Sequence, residues 1–223
     1  MPMGRPPLHD DAKLKQDMVN CLWQLGCDAP ISAVVQSTGA KAASLYARFG
    51  SKKGMLLAAL DVYAEDHLVD LHRLLTSMPP GPERIRAVLE KAIDCFDDPL
   101  HRGCFLVNGV LEANAGEPEF AERLRKHMDD IRKEFSWALA ETPGLSGFFS
   151  IEGAAWFLQA QIWGLKVMAR LNPQRELGQR LVEQAMYALF GPDAVKDRPE
   201  DGAVGAAEGA SPVPSKSGAG MHS

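Results

Sequence analysis

Apolar positions recur along this chain at steps of three and four, the signature of helices that bury one face. Leu14, Met18, Cys21, Leu22 and Leu25 predict a first helix over about 10–25, ended by Gly26. Asp28 and Pro30 announce a short helix over 31–37, and Thr38-Gly39-Ala40 reads as a tight turn into another over 41–49. A long helix follows over 51–76, with Leu56, Leu60, Tyr63, His67, Leu71 and Leu74 inward. Met78-Pro79-Pro80-Gly81-Pro82 breaks the chain before a fifth helix carrying Ile85, Val88, Leu89, Ala92 and Phe96. A sixth is expected from Leu100 to just before Gly116. The clearest stripe (Phe120, Leu124, Met128, Ile131, Phe135, Leu139) marks a seventh over 117–141. Further helices are expected over 150–171 and 173–190. No stretch shows sustained strand alternation, so the fold class is all-α with about nine helices.

The last of the chain reads differently. Residues 192–223 lack a helical stripe and are rich in Gly, Ala, Ser and Pro. Such a segment buries too little apolar surface to offset its chain entropy, and a disordered tail is expected there.

Composition narrows the classes. The 223 residues are 46% hydrophobic, enough for a core, but no run approaches the roughly 18 apolar residues of a membrane span. Met1-Pro2-Met3-Gly4-Arg5-Pro6-Pro7 has no apolar stretch of the kind a secretion signal needs. Four cysteines in a chain of this length do not make a disulfide framework. The expected compartment is the cytoplasm, with no membrane partner. The net charge of −5 speaks against nucleic acid only as an average. Residues 1–60 hold seven basic and four acidic side chains, a net of +3, which leaves −8 for the rest. A basic end on an acidic body can bind phosphate locally.

The informative segment lies in that basic end. Two short helices joined at Gly39 have the layout that sets a second helix in the DNA major groove. Ile31, Val34, Val35, Ala40 and Leu45 would hold the pair together, leaving Lys41, Ala42, Ser44 and Arg48 outward. The run Gly39-Ala40-Lys41-Ala42-Ala43-Ser44-Leu45-Tyr46-Ala47-Arg48-Phe49-Gly50-Ser51-Lys52-Lys53-Gly54-Met55-Leu56 resembles the DNA-binding signature of TetR-family transcriptional regulators. Gly4-Arg5-Pro6-Pro7 resembles their N-terminal arm. The match in detail covers about residues 4–60; the remainder fits in plan.

The resemblance implies a helix-turn-helix domain over 1–50, a ligand-binding and dimerisation domain over 51–191, and a tail over 192–223. It implies double-stranded operator DNA as partner, a homodimer, and a small-molecule or electrophile effector that releases a repressor. Tyr46 and Lys52 match phosphate-contacting positions, Lys41 and Ser44 match positions near base edges, and Arg5 would reach an adjacent groove. Two departures matter. The family usually starts its second helix with Thr-Ser, whereas this chain has Ala29-Pro30 and Ser32, which implies fewer phosphate contacts there. The recognition helix is rich in alanine (Ala42, Ala43, Ala47), which can touch a thymine methyl but donates no hydrogen bond.

In the body, Ile151, Ala155, Leu158, Ile162, Leu165 and Ala169, with Leu177, Leu181, Ala185 and Leu189, form stripes that suit either a four-helix interface between two chains or each chain's own core. Pro99-Leu100-His101-Arg102-Gly103-Cys104 places Cys104 in the first turns of helix six, where the helix N-terminus, His101 and Arg102 would favour thiolate. Arg-Gly-Cys at this point also resembles a branch of the family that senses electrophiles or oxidants. The other reading of Cys104 is a small buried residue lining a pocket. Phe105, Trp156 and Trp163 are candidates to line an apolar ligand site. No Cys-x-x-Cys or paired-His motif supports a metal site from His101, Cys104 and His127, and no cofactor is implied. The readings from other classes are a helical thiol enzyme using Cys104, and a ligand-binding dimer without DNA.

Overall fold

The computed structural model describes residues 11–112, 118–171 and 174–195. Every described element is helical: α1 (Asp11–Leu25), α2 (Ile31–Thr38), α3 (Ala42–Phe49), α4 (Lys52–Thr76), α5 (Pro82–Ile93), α6 (Phe105–Glu112), α7 (Pro118–Glu141), α8 (Ile151–Met168) and α9 (Arg175–Phe190). Short 3₁₀ turns follow α5, α8 and α9. No described helix is long and apolar enough to cross a membrane. Arg5, and the expected tail from residue 196 onward, lie outside the described residues.

Local signals explain the boundaries. Ser51 and Ser150 cap α4 and α8, each accepting a hydrogen bond from the N–H three residues on, at 3.0 Å. Pro82 opens α5, where its missing N–H costs nothing. Gly39 ends α2 at φ 66°, a left-handed turn that a β-carbon would strain. Around it, the Thr38 hydroxyl donates to the Val34 carbonyl and accepts from the Ala40 N–H, so the turn is hydrogen-bonded on both sides.

α1–α3 pack with the start of α4 as the small domain; α4–α9 form the body. Leu14, Met18, Leu22, Val34, Leu45 and Leu56 are all buried in the first. Fully burying Leu45, at 0% exposure, stabilises by about 1.5–3 kcal/mol. In the body the whole predicted stripe of α7 is buried. Two arginines on α5 are also buried. Arg84 donates to the Ala138 carbonyl at the end of α7, and Arg86 grips Glu183 of α9 and the Ala194 carbonyl. A buried guanidinium holds its place only when its donors are met, and these two fasten α5 to both neighbours.

Three expectations need correction. Helix six starts at Phe105, not Leu100: Pro99–Cys104 is irregular, with His101 at φ 47° and Gly103 at φ 68°. The Asp98 carboxylate organises that loop, accepting from the Leu100 and Arg102 N–H groups and the Arg102 guanidinium, which takes those donors out of any helix. A β-carbon at Gly103 would also stand 2.8 Å from the Lys166 carbonyl, so the loop passes hard against α8. Second, Phe96 sits in the 3₁₀ turn after α5. Third, the ordered chain runs past Gly191, because Ala194 is tied to Arg86.

Candidate nucleic-acid interface and internal cavity

The small domain presents α3 outward. Lys41, Ala43, Ser44, Ala47 and Arg48 are exposed, Tyr46 is 40% exposed, and only Leu45 is turned fully inward. Ala42, expected outward, is half-buried. Two of the predicted cations have internal partners. Lys52 donates to the Asp28 carbonyl at 2.8 Å and so braces the loop before α2. An ammonium carries three donors, so this bond leaves others for a phosphate beside it. Arg48 turns back to pair with Asp11 and lies over the Phe49 ring at 5.7 Å. Lys41, Ser44 and Tyr46 therefore form the open strip. The Ser37 hydroxyl donates to the Asp17 carbonyl at 3.0 Å, which fixes α2 on α1 and hence the angle of α3.

The body holds a partly open cavity of about 520 Å³ between α4, α5, α6, α7 and α8. Its walls are mostly apolar, among them Leu71, Val107, Met128, Phe135 and Trp163. Cys104 lines it; the other three cysteines do not. Trp163 also borders a second cavity of about 240 Å³, which Trp156 lines. Phe105, expected as a lining residue, is instead in the core, its ring edge-on to Tyr63 at 5.7 Å.

Cys104 immediately precedes α6 and its carbonyl accepts the Asn108 N–H. Its sulfur lies 3.6 Å from the Tyr63 hydroxyl. Burial, and next the neighbouring Cys104, push the Tyr63 phenol well above its ordinary range, so it stays a neutral donor. The two cations expected to activate the thiol are differently placed. The Arg102 guanidinium is held by Asp98 and lies over the Trp23 ring at 4.1 Å. Burial alone would raise the Asp98 pKa, but the bonds from Arg102 and Leu100 outweigh it and hold it low. His101 belongs to the same loop, at φ 47°. His127 is 2.7 Å from Asp61, which also pairs with Arg123. Cys95 donates to the Ala92 carbonyl at 3.0 Å, and burial raises its pKa.

Lys166, which the sequence did not single out, completes the cavity with His67, expected inward on α4. Lys166 is the only cation of α8, and it lines the wall with His67. Burial, then the charge of Lys166, lower the His67 pKa to about 4, with Asp70 opposing. A contact that spans the two domains was also missed. Glu112 ends α6 and accepts the Cys27 N–H at 2.8 Å.

The stripes of α8 and α9 turn mostly towards the chain's own core, with Ile162, Leu177 and Leu181 half-buried and Ile151 exposed at 37%. Ala155, Leu158, Leu165, Ala169, Ala185 and Leu189 are buried within one chain. Three large apolar side chains of this region stay exposed, Trp156 at 49%, Leu171 at 80% and Tyr187 at 56%, and the Arg132 guanidinium lies over the Trp156 ring at 4.0 Å.

Comparison with known proteins agrees with this plan. The family model described as "Tetracyclin repressor-like, C-terminal domain" matches residues 81–185. The HTH-type transcriptional repressor ComR of Escherichia coli (strain K12) is 30% identical over 176 residues, spanning 75% of this chain and 82% of ComR. A cysteine-substituted mutant of the TetR family regulator CifR, solved with 26 bp double-strand operator DNA, superposes with a TM-score of 0.73 at 26% identity, covering 83% of this chain and all of that one. Reduced NemR of E. coli shares the fold, with a TM-score of 0.69 at 19% identity over 80% of this chain and 99% of NemR. With its helix-turn-helix, its helical body and these relatives, the chain belongs to the TetR family of transcriptional regulators.

Proposed function

We propose that this protein is an operator-binding homodimer of the cytoplasm, a repressor released when an effector occupies the 520 Å³ cavity or modifies Cys104. The supporting observation is that the cavity and the small domain share one short helix. At the start of α6, Cys104 lines the cavity and Arg102, two residues earlier, stacks on Trp23 of α1. At its end, Glu112 holds the backbone just beyond α1. A ligand that displaces α6 thereby displaces α1, and with it α3. Effector and operator then bias one two-state equilibrium.

The operator contacts belong to Lys41, Ala42, Ser44, Tyr46 and Lys52, with Arg5 ahead of α1. Arg48 serves the frame through Asp11 and joins them if that pair opens on DNA. The exposed Trp156, Leu171 and Tyr187 meet the second copy in the dimer. Two recognition helices about 34–36 Å apart would then enter successive major grooves. Residues 1–50 act as the reading head, and 51–191 as the sensor and dimer body.

The test is a titration of the full chain against its own upstream intergenic DNA at several salt concentrations. Tight binding with a steep salt slope is expected. Absence of binding at low salt, with that DNA and with selected random sequences, overturns the reading. Alkylation followed by mass spectrometry checks Cys104: an unreactive thiol at neutral pH removes the modification route and leaves ligand occupancy.

A further inference from the structure

The charges around the cavity do not balance. Four charged side chains line it: Asp70, Arg73, Lys91 and Lys166. Arg73 pairs with Asp70 at 2.7 Å, and Lys91 with Asp94 at 3.0 Å. Lys166 has no carboxylate within ion-pair distance among the described residues. A lysine in the last turn of a helix is commonly a solvated cation that favours the helix dipole. Here the ammonium faces the cavity instead, close enough to His67 and Cys95 to act on both. A cation in an apolar wall is costly unless an anion or water meets it. His67, held neutral on the same wall, offers a ring nitrogen to hydrogen-bond the same anion. Beyond the two of them, the walls are largely aliphatic and aromatic, with room for an apolar body of small-molecule size.

We infer that the effector is an apolar molecule carrying one carboxylate, which seats its head group between Lys166 and His67 and its chain against Val107, Met128 and Phe135. This rests on the reading of the cavity as the effector site. A single unpaired cation selects a monoanion over a neutral or cationic amphiphile, because only the anion relieves the exposed charge without leaving a second one unmet. A dianion would bring one negative charge too many.

The test is calorimetric titration of the full chain, free of DNA, with octanoic, decanoic and dodecanoic acids below their micelle concentrations. The corresponding alcohols, amines and methyl esters are the controls. The acids are expected to bind at least tenfold more tightly than the controls. Lys166→Gln should bring the acids down to the level of the alcohols and leave the alcohols unchanged; Lys166→Arg should retain the preference. The inference is overturned if no acid binds, if the esters bind as well as the acids, or if Lys166→Gln binds acids like the parent protein. The acid-to-ester comparison uses the unmodified chain, so it decides even if Lys166→Gln fails to fold. Operator titration of the ligand-free protein separates the two readings. Acid binding without DNA binding refutes the regulator and keeps the site, and the converse refutes only the site.

Discussion

The carboxylate of Glu112 accepts a hydrogen bond from the backbone N–H of Cys27 at 2.8 Å, across a sequence separation of 85 residues. It joins the end of the helix that borders the cavity to the loop between α1 and α2. A backbone donor ties the movement to the main chain itself, so no rotamer change on the α1 side can absorb it. Glu112→Ala is expected to leave the fold intact and weaken the coupling between effector and operator by about 1 kcal/mol, roughly fivefold, the worth of one such bond. Operator affinity measured with and without effector gives the coupling directly; an unchanged ratio would show that α6 communicates by another contact.

Arg86 is expected to matter far more for stability. It is 1% exposed and bonds both Glu183 and the Ala194 carbonyl. Arg86→Ala strips a largely buried carboxylate of its guanidinium and should destabilise by about 3–5 kcal/mol. Arg86→Lys should recover little, because an ammonium cannot reproduce the planar fork. Thermal or urea unfolding of both variants tests this.

On DNA, Lys52→Ala should reduce the salt slope by about one and weaken all sequences alike, as expected of a phosphate contact. Part of its loss will appear without DNA, since Lys52 also braces the Asp28 carbonyl. Ser44→Ala should instead alter preference among operators and leave the slope unchanged. Fluorescence anisotropy across a salt series distinguishes the two patterns.

His67 makes folding sensitive to mild acid. Its pKa is lowered from 6.5 to about 4 in the folded chain, so between those values the unfolded chain binds more protons. Stability is therefore full above about pH 6.5, declines as pH falls towards 4, and levels off for this group below that, a loss of up to about 3 kcal/mol. His67→Gln should flatten that decline. Asp94, Asp98 and Asp130, all held below their ordinary values, lose their contributions at lower pH and remain in the variant. Denaturant unfolding at successive pH values, compared between the two proteins, isolates the histidine.

The exposed apolar side chains of α8 and α9 predict the assembly. Trp156→Glu should shift the protein towards monomer and weaken operator binding, because one reading head contacts only half a site. Sedimentation velocity at micromolar concentration provides the check; an unaltered dimer would place the interface elsewhere.

The sequence by itself determined the helices and the reading head. Spacings of three and four depend only on helical geometry, and Gly39, Ser51, Ser150 and Pro82 are local signals that act within a few residues. Leu45 inward with Lys41 and Ser44 outward follows from that same periodicity. What the tertiary structure decided is what each face meets. The stripes of α8 and α9 fit an interface and a core equally well on a helical wheel, and only packing against α5 and α7 assigned most of their positions to the core and left Ile151 open. Cys104 was legible as a candidate, but its loop was not, because Asp98 organises it through side-chain bonds that no periodicity encodes. Lys166, His67, and the joining of Glu112 to Cys27 depend on segments far apart in the chain. A charge without a partner, or a bond between helices, exists only once the fold has brought their neighbours into place.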